Sequence, residues 1–176
     1  MSAKETTRRK ILIVCTGNTC RSPVAERILA EELKASGIVV ESAGIAAMSG
    51  QPATPESAQA AREAGYLLDQ HQARDLRELD LCCFHLIITM TKWHARRVSP
   101  FLGSCDGPRI PDVVTLGSLA APTRPDLSGD VSDPLGEPLS AYKQMVGQLC
   151  RMIRAAYPEI LRRVGRRSDD SGDGSL

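Results

Sequence analysis

Aromatic side chains are scarce: one Trp, three Tyr and two Phe make up 3% of the 176 residues. The core must therefore be aliphatic, built from Leu, Ile, Val and Ala. Net charge is nearly absent too, at +1 from 22 Lys and Arg against 21 Asp and Glu. That balance gives no reason to expect a nucleic-acid partner. The basic clusters Arg8-Arg9-Lys10, Arg162-Arg163 and Arg166-Arg167 lie near the ends and read as solvated faces. No run is long and apolar enough to span a membrane, so no membrane partner is expected. Residues 1–10 are polar and charged and lack the apolar stretch of a signal peptide, which points to a cytoplasmic location. The six cysteines make no CxxC, no His/Cys cluster and no disulfide framework. Neither a metal nor another cofactor is expected, and most cysteines read as small buried hydrophobes. Cys15 is the exception.

What is present is an alternation of short apolar runs and helical patterns. Residues 10–14 form a β-branched run fit for a central strand. Ser22 and Pro23 then suit a helix cap and first turn, and Val24, Ile28, Leu29 and Leu33 mark one face before Gly37. A second strand is expected at residues 38–40, entering a turn at Ser42-Ala43-Gly44, and residues 45–53 read as a loop. Thr54-Pro55 opens a helix that ends at Gly65, and residues 75–79 suggest a short one. Residues 85–90 read as a third strand, 93–98 as a helix, and 109–114 as a fourth strand weakened by Pro111. Residues 115–138, rich in Pro, Gly, Ser and Asp, are too long for a simple connection and read as a functional or mobile loop. The strongest helix begins at Leu139, with Tyr142, Val146, Leu149 and Ile153 on one stripe and a kink or break at Pro158.

The expected fold class is α/β: a single domain with a doubly wound open parallel sheet of about four strands and helices on both faces. Residues 1–9 read as a flexible leader, 10–164 as the domain, and 165–176 as a disordered tail. Ligands of such sheets bind at the carboxyl ends of the strands.

That is where the most informative stretch falls: Cys15-Thr16-Gly17-Asn18-Thr19-Cys20-Arg21-Ser22-Pro23. Gly17 and Asn18 tolerate the backbone angles of a closed loop. Successive N–H groups of residues 16–21 can point inward as an anion nest beside a helix N-terminus. Within that nest Cys15 would be an anionic nucleophile, favoured as thiolate by the helix end and by Arg21. Arg21 can grip two phosphoryl oxygens in a bidentate pair that Lys cannot match. Ser22 could donate its hydroxyl to the Cys15 sulfur. The combination points to phosphoryl transfer through a covalent cysteine intermediate.

This loop resembles the signature of the low-molecular-weight protein-tyrosine-phosphatase family. Ser42-Ala43-Gly44, His71-Gln72-Ala73-Arg74, residues 86–91 and above all Asp133-Pro134-Leu135-Gly136 support the resemblance over about residues 10–160. It implies the same doubly wound sheet, with Cys15, Arg21 and Asp133 as catalytic residues and Asp133 as general acid. Thr16, Gly17, Asn18, Thr19, Cys20, Ser22 and Leu135 would contact a phosphorylated protein substrate, and phosphate would be a product. The implied mechanism is ping-pong and needs no metal. Thr19 stands where many tyrosine-specific members carry Ile, and resembles the protein-arginine-phosphatase branch. Leu135-Gly136 is closer to the Phe-Gly of that branch, with Leu for Phe. Phosphoarginine is therefore somewhat favoured over the alternative, phosphotyrosine.

The family often has a second loop cysteine that forms a reversible disulfide with the nucleophile; Cys20 fits that role or is merely a tolerated small residue. His71 reads as structural, and Trp93 and His94 as surface or packing residues. His85 stands where the family commonly has Asp. Two rivals differ in class. An arsenate reductase would need two more cysteines directly after the third strand, and a phosphate-binding module would need neither nucleophile nor acid. Oligomeric state is not encoded in any of these signals.

Overall fold

Four short strands pair side by side in one parallel sheet of order β2-β1-β3-β4: β1 (Lys10–Cys15), β2 (Val39–Gly44), β3 (Leu86–Thr89) and β4 (Asp112–Thr115). The computed structural model describes residues 8–105 and 110–165. The chain runs from β1 outward to β2, then crosses to β3 on the other side of β1. The connections therefore diverge at the carboxyl end of β1, beside β3, which is where a doubly wound sheet opens a crevice. In register, Cys15 lies opposite Gly44, and Val14 opposite Thr89.

Strand β1 is buried on both faces, so its apolar run is continuous rather than alternating. Its side chains divide between two cores. Ile11, Ile13 and Cys15 face a layer built from α1 (Arg21–Glu32), α2 (Pro55–Glu63), α4 (Leu116–Ala120) and α5 (Leu139–Gly165). Leu12 and Val14 face Leu76, Leu81, Phe84 and Val98, the last on α3 (Lys92–Val98). The cores are mainly aliphatic, with Tyr142 and Phe84 as the large aromatic members.

Several expectations are corrected. Ser22 is not the cap of α1: Cys20 is, without a side-chain bond, and Ser22 lies inside the first turn with its hydroxyl turned to the loop. Ser42-Ala43-Gly44 is not a turn but the end of β2, paired along β1. Within residues 115–138 lies α4, whose Thr115 cap accepts from the Ser118 N–H. Pro158 does not break α5, which runs unbroken through it. Ala155, Ala156, Ile160 and Val164 are buried on either side of it, and their packing outweighs the roughly 3 kcal/mol cost of a helical proline. Arg162 and Arg163 pair with Glu159, holding its carboxyl down to about 2, and Arg163 also reaches Asp112 of β4.

The leader and tail fall mainly on residues 1–7 and 166–176, outside the described residues, as does Arg109 of the expected fourth strand. Gly165 ends α5 and does not belong to a tail.

The cysteines depart most from expectation. Cys82 and Cys105 form a disulfide across a sequence separation of 23, their Cα atoms 5.4 Å apart. Cys82 precedes β3 and Cys105 precedes β4, so the bond lies at the amino edge of the sheet. Spacing could not reveal a pair that only the crossover brings together. Cys83 is exposed and Cys150 half-buried, so only Cys15 and Cys20 are buried free cysteines.

Candidate active site

The loop from Cys15 to Arg21 is held by its carbonyls. Those of Cys15 and Thr16 accept from the N–H groups of Ile45 and Ala46 at 3.0 Å each. That of Asn18 accepts from His71 Nε2 at 2.7 Å, that of Thr19 from Thr54 N at 2.9 Å, and that of Cys20 from Ser57 Oγ at 3.3 Å. Carbonyls engaged on the outside leave the intervening N–H groups for the inside, the arrangement of an anion nest. The approach of β2 is close: a Cβ on Gly44 would lie 2.4 Å from the Thr16 carbonyl oxygen and 2.9 Å from Asn18 N. Only glycine fits there.

Asn18 is the keystone. It is fully buried and has φ 55°, a left-handed conformation that Asn tolerates better than most residues. Its Nδ2 donates to Ser22 Oγ and to Ser42 Oγ, both at 2.8 Å, and its Oδ1 accepts from Arg74 N at 2.8 Å. Ser42 passes its own proton to Glu26, so the amide orientation is fixed from outside. Ser22 Oγ accepts from Asn18 and lies 2.9 Å from Cys15 Sγ, placed to give its one proton to a thiolate there. Loop, helix and strand thus converge on one thiol.

Arg21 opens α1 with its guanidinium almost fully buried. Nη1 donates to the Val131 carbonyl at 3.3 Å, and Nη2 to Asp133 Oδ2 at 2.5 Å and to Thr16 Oγ1 at 3.5 Å. Among the described residues, its Nε is a buried side-chain donor with no hydrogen-bond partner. A buried cationic N–H left unsatisfied is costly, and an anion in the nest would satisfy it.

Asp133 comes from the segment between α4 and α5, its side chain 43% exposed. Val131 N binds the Met90 carbonyl and Asp130 Oδ1 accepts from Lys92 N, so this segment is tied to the carboxyl edge of β3. Asp133 Oδ1 accepts from Leu135 N at 3.2 Å, and Leu135 itself is 65% exposed beside it. Thr19 is half-buried with its Oγ1 3.8 Å from Cys20 Sγ, and Cys20 Sγ lies 3.5 Å from Thr54 Oγ1. The structure thus brings Cys15, Thr16, Gly17, Asn18, Thr19, Cys20, Arg21 and Ser22 into one loop, with Asp133 reaching it across the ion pair. Among the described residues no group of three His, Cys, Asp or Glu could hold a metal.

One residue was misread. His94 is buried, neither surface nor packing filler, with Nε2 3.0 Å from Thr16 Oγ1 and Nδ1 2.6 Å from Thr91 Oγ1. Burial and then the Arg21 cation push its pKa down to about 4, against the opposing pull of Asp133 and Asp130. A signal was available: a Thr-x-x-His spacing directly after a buried strand places the histidine in the first turn of a helix at the ligand edge. Trp93 next to it is half-exposed, its ring edge-on to His94 and 5.3 Å from the Arg97 guanidinium. His71 is structural, as expected, through its bond to the loop.

A family profile described as low molecular weight phosphotyrosine protein phosphatase matches residues 10–168. A probable low molecular weight protein-tyrosine-phosphatase, EpsP of Ralstonia nicotianae, is 30% identical over 152 residues, covering 86% of this chain and 96% of that protein. A protein-arginine-phosphatase of Bacillus subtilis is 33% identical over 147 residues, covering 82% and 91%. The crystal structure of a low molecular weight protein tyrosine phosphatase from T. tengcongensis superposes with a TM-score of 0.73 at 34% identity, covering 86% of this chain and 99% of that one. With the sheet order, the pinned loop and these likenesses together, the chain belongs to the low molecular weight phosphotyrosine protein phosphatase family.

Proposed function

We propose that the chain removes phosphoryl groups from protein side chains through a covalent intermediate on Cys15, with phosphoarginine favoured. The Cys15 sulfur attacks phosphorus in line, and the bond from phosphorus to the leaving oxygen or nitrogen breaks. Asp133 gives that atom its proton. A water then attacks the thiophosphoryl group, losing its proton to Asp133, and the S–P bond breaks to release phosphate. Arg21 and the N–H groups of the loop hold the equatorial oxygens and spread their charge in both steps.

The observation that carries this reading is Arg21 Nε. Among the described residues it is a buried donor without a partner, on a guanidinium whose other nitrogens are already engaged, and Cys15 Sγ of the same loop lies 2.9 Å from the Ser22 hydroxyl. A phosphoryl oxygen is the acceptor that this arrangement lacks. Thr19 supports phosphoarginine, because a small polar residue at the loop rim leaves room and a hydroxyl for a guanidinium. Phosphotyrosine is the second reading. It is favoured by Leu135, whose exposed apolar side chain beside Asp133 suits an aromatic ring better than a cation. A cytoplasmic setting belongs to the proposal on the polar, charged character of the first ten residues, while the Cys82–Cys105 disulfide, a bond rare in reducing compartments, weighs against it.

The test is kcat/KM on phosphoarginine and phosphotyrosine in parallel, in metal-free buffer, for the native chain, Cys15→Ser and Thr19→Ile. Cys15→Ser is expected to abolish turnover of both, and Thr19→Ile to shift the ratio toward phosphotyrosine. Retained activity in Cys15→Ser sinks the mechanism. An unchanged ratio removes Thr19 as the selector.

A further inference from the structure

His94 belongs neither to the loop nor to the acid segment, yet it links Thr91 to Thr16 in a chain of polar atoms that reaches Arg21. Helix α3 begins at the carboxyl edge of β3, so its first turn faces the nest. Thr91 caps it by accepting the His94 N–H at 3.1 Å, and the same hydroxyl lies 2.6 Å from His94 Nδ1. A threonine hydroxyl has a single proton. With the backbone donor on one of its two lone pairs, the hydroxyl can give that proton to Nδ1, and in that arrangement the ring is the Nε2–H tautomer. The ring then carries its own proton on Nε2 and donates it to Thr16 Oγ1 at 3.0 Å. Thr16 Oγ1 also lies 3.5 Å from Arg21 Nη2, a second donor. Both acceptor positions of the Thr16 oxygen are thereby taken, and its proton is free to face an acceptor outside this network.

We propose that His94 is a positioning residue: as a neutral imidazole protonated on Nε2, it holds the Thr16 hydroxyl as an additional proton donor to the phosphoryl group. The proposal rests on the phosphatase reading above and adds a side-chain donor to the backbone nest. Thr16 sits one residue beyond the thiol, and the Asp133–Arg21 pair adjoins it through Nη2. The reverse tautomer has the opposite consequence. An Nδ1–H ring would consume the Thr16 proton at Nε2 and leave nothing for the ligand. The charged groups facing the ring are Arg21 from α1 and Asp130 and Asp133 from the segment before α5. Burial, with the Arg21 cation behind it, outweighs the pull of the two carboxylates and favours the neutral ring.

The test uses the full chain with four variants: Thr16→Val, His94→Leu, His94→Gln and the double Thr16→Val/His94→Leu. The Gln amide nitrogen can stand in for Nε2–H, whereas Leu fills the space without a donor. Each is assayed for kcat/KM on an aryl phosphate, for the Kd of inorganic phosphate and for thermal stability. Loss of one such donor is expected to lower kcat/KM by about a hundredfold to a thousandfold. Thr16→Val, His94→Leu and the double variant should all show the same loss, with weaker phosphate binding, while His94→Gln recovers most of it at unchanged stability. Losses that multiply in the double variant, or a Gln variant as poor as Leu, overturn the proposal. The imidazole 15N shifts of the native chain give a readout independent of turnover and of folding in the variants. Protonation on Nε2 alone is expected, and an Nδ1–H ring refutes it. If the native chain turns over no phosphorylated substrate, the phosphatase reading fails. Phosphate Kd and the tautomer then decide the role of His94 by themselves.

Discussion

Truncating Asn18 to Ala tests how the nest is held. The substitution removes three hydrogen bonds of 2.8 Å: two donated to Ser22 and Ser42, and one accepted from Arg74 N. The two serines retain Cys15 and Glu26 as partners, so each lost bond costs about 0.5–1.5 kcal/mol. Arg74 N fares worse: its acceptor vanishes in a partly buried place, at about 1–3 kcal/mol. At φ 55° an alanine adds roughly 1 kcal/mol of backbone strain. The total is about 3–7 kcal/mol, and at about 2–4 °C per kcal/mol for a chain of this size Tm should fall by roughly 6–28 °C. Asn18→Gly is free of the strain and should be about 1 kcal/mol more stable than the Ala variant. Thermal unfolding by circular dichroism measures both, with the Kd of phosphate as a readout of the nest. A drop in Tm of only a few degrees for Asn18→Ala would refute the keystone assignment. Equal stability of the Gly and Ala variants would remove the backbone component.

Three further outcomes follow from other parts of the molecule. Asp133→Asn should slow substrates with poor leaving groups far more than those with good ones; a series of aryl phosphates checks this, and equal slowing argues against a general acid. The folded-state pKa of His94 lies near 4, below the ordinary 6.5. As pH falls below about 6.5 the unfolded chain therefore takes up a proton first, and stability that is full above that pH is lost toward pH 4. The shift corresponds to at most about 3–4 kcal/mol, and less once relaxation around the buried ring is allowed for. Denaturation between pH 7 and 4 should be less steep in His94→Gln, and an identical slope contradicts the assignment. Lastly, Cys82→Ser should cost about 3 kcal/mol through the loop it opens, with kcat unchanged because the bond lies at the edge of the sheet away from the nest. A reduced kcat would show that the two edges are coupled.

Much of this was legible from residues alone, because the loop chemistry is local. Cys15 to Ser22 occupy one turn of chain between a strand and a helix, and the order of apolar runs implied the parallel sheet. What was illegible depended on partners far away. Nothing near Ser42-Ala43-Gly44 shows that β1 lies alongside and extends the strand. The approach of the Ser22 hydroxyl to Cys15 was read from the loop, but nothing near Ser22 shows that Asn18 claims it too, which leaves Cys20 to cap α1. Helix α4, five residues long, is too short to display a period. Pro158 was overestimated because intrinsic propensity ignores the buried residues around it. The Cys82–Cys105 pair and the His94–Thr16 bond each join elements that meet only after the crossovers are made.

The ion pair between Arg21 and Asp133 also bears on how the protein comes into being. Its members are 112 residues apart, and the acid segment is anchored to β3, which itself must first dock on β1. Contacts of such long range are late in folding, since the chain between them must be ordered first. In refolding, recovery of turnover should lag behind the helical signal dominated by the 27-residue α5. On a ribosome making 5–20 residues per second, Asp133 is synthesised roughly 6–22 s after Arg21. Throughout that interval the nascent chain carries its thiol and its arginine without the acid.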